Sequence, residues 1–251
     1  MRDFTLDIYK KLISAAQNSG YRLIGYDDFA TNKFQNEKVY ILRHDVDALP
    51  FNSVATAKAE SDIGGRGTYY FRIVKQSNVP KAIEAIANLG HEIGYHYEDL
   101  ALQHGNYERA YEEFQNNLAY FRKYYPVNTI CMHGSPMSKW DNRKIWEQYD
   151  YKKHGIIAEP YFDTDFSNVL YITDTSRQWN GDKYSVRDKV NGIQANFSKT
   201  TELIKLLEDH KLPNTIMQNI HPQRWTNDFV SWTSELILQN IKNKIKQVIA
   251  K

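Results

Sequence analysis

The sequence predicts an α/β domain built on a (β/α) barrel of about seven parallel strands, closed or nearly so. Two observations predict it. Short β-branched and aromatic runs alternate with apolar residues at helical spacing along most of the chain, the pattern of successive βαβ units. Polar residues then gather at the ends of the predicted strands, where a parallel barrel carries its active face. A doubly wound open sheet is the rival architecture.

The elements follow in order. Leu6, Ile8, Tyr9, Leu12, Ile13 and Ala16 recur at helical spacing and the pattern stops at Gly20, a residue suited to a helix C-terminus. Val39–Asp47 reads as a strand, Val54–Ile63 as a helix, and Thr68–Val74, rich in Tyr and Phe, as a strand. Pro80–Leu89 is a helix begun by proline and stopped by Gly90, and His91–Tyr97 is a short strand. Tyr107–Tyr125 is a long helix closed by Pro126, Thr129–His133 a strand and Trp140–Tyr149 a helix. Ile156–Phe162 and Val169–Asp174 read as strands, Asn196–His210 as a helix, Thr215–His221 as a strand and Phe229–Ala250 as a closing helix. No repeat or low-complexity linker divides the chain, so residues 1–251 form one domain, with 1–38 as an N-terminal helical extension packed on the barrel.

Composition narrows the function. With 32 Lys+Arg against 30 Asp+Glu, the formal charge of +2 offers no electrostatic footprint for nucleic acid. The mean hydropathy of −0.64 and the lack of a long apolar run exclude a transmembrane segment. The single cysteine, Cys131, excludes a disulfide scaffold and a multi-cysteine zinc site and reads as a buried apolar residue. Residues 1–20 mix Asp3 and Asp7 with Lys10 and Lys11 and lack the pattern of a secretory signal, so a cytoplasmic protein is expected.

The chemistry sits at four strand ends: Arg43-His44-Asp45-Val46-Asp47, Glu92-Ile93-Gly94-Tyr95-His96-Tyr97-Glu98, His133-Gly134-Ser135-Pro136 and Asn219-Ile220-His221-Pro222-Gln223-Arg224-Trp225. Side chains two apart on a strand share a face. Asp45 and Asp47 therefore lie together, His44 points away, and His96 shares a face with Gly94 and Glu98. Two carboxylates so close repel unless a cation sits beside them. With imidazoles converging on them they suit a divalent metal, Zn²⁺ first and Co²⁺, Ni²⁺ or Fe²⁺ as alternatives. Each reading has a structural competitor: Asp45 as a helix cap or a partner of Arg43, His96 as a hydrogen-bonded core histidine, His133 as ligand or structural residue with equal weight.

At these residues the sequence resembles the NodB-homology polysaccharide deacetylases (carbohydrate esterase family 4), as a divergent member. Gly90-His91-Glu92-Ile93-Gly94-Tyr95-His96 is similar to the family's second motif, Arg43–Asp47 stands where its first motif brings a base and a ligand Asp, and Ile220-His221-Pro222 resembles its last motif. The resemblance spans about Val39 to Trp225. It implies a distorted barrel and a metal-dependent hydrolase that removes an acetyl group from an N- or O-acetylated sugar or glycan precursor. Asp45 would be the base, Asp47 and His96 ligands, and His221 the general acid. The family's second ligand His falls at Leu100, so the third ligand is sought at His133 first, then Glu98, then His104. Asp174-Thr175-Ser176-Arg177-Gln178-Trp179 is a loose match to its Asp-Trp motif. Trp179, Trp225 and Tyr97 are candidate platforms for sugar rings, and Arg224 a candidate anion clamp. A C–N hydrolase of non-sugar amides and a non-catalytic glycan binder are the alternatives. A substrate screen separates the first and metal content the second.

Overall fold

The computed structural model describes residues 2–179 and 187–249. Among them are seven strands: β1 (Arg22–Ile24), β2 (Val39–Val46), β3 (Thr68–Phe71), β4 (Glu92–Tyr97), β5 (Ile130–Met132), β6 (Leu170–Thr173) and β7 (Thr215–Ile220). Every pairing is parallel, in the order β5-β4-β3-β2-β7-β6, with β1 beside the start of β2. Strand β7 returns to pair with β2, as in a barrel, and the sheet stays open between β5 and β6. The result is a curled half-barrel, and the reversal of strand order that marks a doubly wound sheet does not occur.

The helices form where the sequence caps them. Helix α1 (Leu6–Asn18) starts at Thr5, whose side chain accepts from Ile8 N, and ends before Gly20 at φ +89°. After the short α2 (Tyr26–Ala30) comes α3 (Pro50–Ser61), and both α3 and α4 (Pro80–Asn88) begin with proline, which fits the first turn because its missing N–H has no partner there anyway. A one-turn α5 (Asp99–Leu102) leads into α6 (Tyr107–Phe121), capped by Asn106, and α7 (Pro160–Asp163), α8 (Thr200–Glu208) and α9 (Phe229–Ile249) follow. One apolar cluster packs α1 and α8 on the outer face of β2, β6 and β7, and a second packs α4 and α6 on that of β3, β4 and β5. Ile83 and Ile86 are fully buried there, each contributing roughly 1.5–3 kcal/mol.

Three expectations change. The first 38 residues are more than a helical extension, because β1 joins the sheet with Leu23 opposite Tyr40. Ile156–Phe162 is not a strand: Ala158 makes one isolated bridge to Thr129, and Pro160, which has no N–H for a ladder, opens α7. Trp140–Tyr149 holds a 3-10 turn at Asn142–Glu147 instead of an α-helix. The predicted end of the closing helix, Ala250, lies outside the described residues.

Candidate active site

Alternation along β2 sends His44 to the outer face, where its ring nitrogens meet Glu60 at 2.8 Å and the Thr68 carbonyl at 3.0 Å. The same alternation aims Arg43, Asp45 and Asp47 into the half-barrel. Gly94 on β4 has a steric reason: a Cβ there would run into the ring of Tyr70 on β3. His96, two residues on, reaches the rim. Register pairs His96 with Cys131 on β5, so His133 emerges beside it, and β7 delivers Asn219 and His221 from the other side.

Three imidazoles converge on one carboxylate. Asp47 Oδ1 lies 3.8 Å from His96 Nε2 and 3.6 Å from His133 Nε2, and Asp47 Oδ2 lies 3.8 Å from His221 Nε2. Asp47 Oδ1 is buried and has no hydrogen-bond partner among the described residues, a costly state for a carboxylate oxygen unless a cation is its partner. Each imidazole is held through its other nitrogen. His96 Nδ1–H donates to the Cys131 carbonyl at 2.9 Å, His133 Nδ1 faces Glu98 Oε2 at 2.8 Å, and His221 Nδ1 faces Asp174 Oδ1 at 2.6 Å. A carbonyl and two carboxylates only accept, so the protons sit on Nδ1 and the three Nε2 atoms are turned to Asp47. This is how metal-binding histidines are oriented. Burial pushes His96 down to about 4, against the opposing pull of Asp45, so its Nε2 lone pair is free at neutral pH. An ion about 2.0–2.2 Å from its ligands separates them by roughly 3.3 Å, somewhat less than the 3.6 and 3.8 Å from Asp47 Oδ1 to His133 and His96. The donor set of carboxylate and imidazole fits Zn²⁺.

Asp45, His96 and Cys131 also bring one potential ligand atom each within 4.8 Å of one another. The chemistry favours the Asp47 group. Cys131 Sγ already accepts from Arg43 Nη2 at 2.9 Å, and burial pushes its thiol well above the ordinary range, whereas a metal needs the thiolate.

Asp45 is held as an anion. Burial works against ionisation, but Arg43 Nη2 at 3.0 Å and Asn219 Nδ2 at 2.9 Å donate to its Oδ2 and bring the carboxyl far below the ordinary range. His96 Nε2 is 3.9 Å away.

The third-ligand candidates separate cleanly. Both oxygens of Glu98 are engaged, by Arg72 at 2.7 Å to each and by His133, so Glu98 holds His133 and offers no free oxygen to an ion. His104 is exposed in the turn after α5, and Leu100 is core. The aromatic candidates are corrected. Tyr97 follows His96 on β4 and therefore points to the opposite face, among Phe114 and Trp146. Trp225 is 1% exposed and donates Nε1–H to Asp174 Oδ2 at 2.8 Å. Trp179 packs on Phe4 and Phe197 and donates to Thr200. None of the three lines the cavity over the site. Arg224 lines it but donates to the Asp174 carboxylate and carbonyl, both at 2.6 Å, which makes it a brace.

Sequence reasoning left Arg43, Asn219 and Asp174 out of the site. Arg43 and Asn219 each stand two residues before a site residue on the same strand, so parity was the available signal. Asp174 follows β6 and holds His221, Arg224 and Trp225 together, and the tryptophan it bonds is Trp225 instead of Trp179. Above these groups lies a cavity of about 760 Å³ whose wall includes Asp47, His133, Leu49, Met137 and Leu238.

Fold and site together define a parallel α/β half-barrel with a histidine–carboxylate centre at the C-terminal rim of its strands. No family model matches the chain, and no curated protein matches it in sequence. Among solved structures it is similar to a family 4 carbohydrate esterase from Streptomyces lividans in complex with acetate, at 12% identity and a TM-score of 0.43, over 90% of each chain.

Proposed function

We infer that the protein is a metal-dependent hydrolase that removes an acetyl group from an N- or O-acetylated sugar or glycan precursor. One observation carries the reading: the buried Oδ1 of Asp47, without a hydrogen-bond partner among the described residues, faces imidazoles delivered by separate strands, each held through Nδ1. The motif around His96 supports the substrate class. Asp47, His96 and His133 would hold the ion. When bound, a divalent ion supplies Lewis acidity, polarising the acetyl carbonyl and easing loss of a proton from the attacking water.

The remaining work falls to the chain. Asp45, kept ionised by Arg43 and Asn219, takes the proton from water as its oxygen bonds to the carbonyl carbon. His221, with Nδ1 fixed on Asp174, presents Nε2 to the leaving atom. As the imidazolium, with Nδ1–H on Asp174, it gives that atom its Nε2 proton as the C–N bond (or the C–O bond of an ester) breaks, leaving acetate and a free amine or hydroxyl. Arg224 and Trp225 hold Asp174 in place. Arg72 and Glu98 do the same for His133.

Chelation should abolish release of acetate from an acetylated amino sugar, and Zn²⁺ or Co²⁺ should restore it. Asp47→Ala should lower metal occupancy to background; stoichiometric metal in that variant would refute the ligand assignment.

A further inference from the structure

Between Ile237 and Lys244, helix α9 turns amides inward and apolar side chains outward. Its packed side carries Gln239 and Asn243, 5% and 6% exposed, which bond to each other at 2.7 Å, and Asn243 donates to the Ser176 carbonyl at 3.1 Å. Glu235 pairs with Arg177 on the same side. The outward side carries Ile237, Leu238 and Ile241, which are 54%, 56% and 51% exposed and neighbours at helical spacing. A surface helix ordinarily buries its apolar stripe and shows its polar one. Something outside the chain is therefore the natural partner of this face.

Two features identify it. The first is charge: after Glu235 the sequence has Lys242, Lys244, Lys246 and Lys251 and no acidic residue, and Lys242 and Lys244 are exposed beside the apolar side chains. Apolar residues flanked by lysines are the composition of a helix lying in an anionic lipid interface. A second copy of the chain would instead bring these lysines toward like charges. The second is position: Leu238 and Lys242 also line the active-site cavity, and its mouth continues in Leu49 and Met137, 54% and 71% exposed. The apolar outer face of α9 and the rim of the mouth form one surface.

We propose that α9, with Leu49 and Met137, docks on an anionic lipid surface and sets the mouth of the cavity against it. This does not depend on the chemistry of the site, and its test needs no substrate. The full-length protein is sedimented with vesicles of phosphatidylcholine and phosphatidylglycerol, or of phosphatidylcholine alone, at low and high salt. The expected result is pelleting with the anionic vesicles, weaker at high salt, and at least about tenfold less bound Ile237→Glu/Ile241→Glu variant. Both positions are exposed, so the variant should keep its melting temperature. If it does not, Lys244→Gln, which changes charge without touching the packed side, should lower binding to the anionic vesicles instead. Wild-type protein that stays in the supernatant with anionic vesicles overturns the proposal. So does a lipid-free dimer that the double variant dissolves, because that assigns the face to a second copy.

Discussion

Replacing Glu98 by Gln separates metal positioning from simple stability. Glu98 is nearly fully buried; burial alone would raise its carboxyl, yet His133 and the two-pronged contact of Arg72 bring it down to about 2 from 4.5. A folded value below the unfolded one means that ionised Glu98 stabilises the fold. The contribution is about 3 kcal/mol, fully present above pH 4.5 and lost as pH falls toward 2. Glutamine keeps the volume and one acceptor but loses the charge. The variant should therefore be less stable at pH 7 by up to that amount and melt lower, and the gap to wild type should narrow steadily below pH 4.5. The metal effect is separate. Without the Glu98 carboxylate, the His133 proton is no longer confined to Nδ1, and Zn²⁺ affinity, measured by competition with a chromophoric chelator, should fall about ten- to hundredfold. Wild-type Zn²⁺ affinity in a folded variant would refute the role of Glu98, and an unchanged pH profile of melting would refute the electrostatic argument.

Asp45→Asn should keep its metal while acetate release drops by about 10²–10⁴-fold; full turnover would remove Asp45 as the base. The same variant leaves buried Arg43 without its carboxylate and should lose about 3–5 kcal/mol of stability, read by denaturant unfolding. Gly94→Ala drives a methyl into the Tyr70 ring and should cost about 1–3 kcal/mol, with a wild-type melting curve as the contrary result. Asp99 is fully buried, which raises its carboxyl to about 7 even though Tyr95 and Asn117 donate to it. Above pH 3.8 the unfolded chain ionises this group and the folded chain does not, so stability should fall as pH rises from about 4 to 7. Asp99→Asn should flatten that slope, and an unchanged slope would show that Asp99 titrates normally.

How much of this was legible beforehand follows from the range of the interactions involved. Parity along a strand is local, so the shared face of Asp45 and Asp47, the outward turn of His44 and the inward turn of His96 could be read from residue order. Proline and glycine bracket α4 for equally local reasons, restricted φ at Pro80 and positive φ at Gly90. The choice among His133, Glu98 and His104 was not local. It rests on the register that sets His96 beside Cys131, and register comes from packing between distant segments. For the same reason Tyr97, Trp179 and Trp225 read as surface platforms until the tertiary structure buried them, since an aromatic side chain has no intrinsic preference between core and binding site. Asp174 bonds His221 across 47 positions of sequence, and no periodicity links two residues that far apart. Which face of α9 turns outward was likewise decided by packing, since Ser176 and Arg177 offer polar partners to Asn243 and Glu235. Composition and residue order thus determined the architecture and the kinds of side chain at its rim, because these depend on backbone geometry and short-range pattern. The folded chain decided which of those side chains meet, because contact between distant segments is a property of packing.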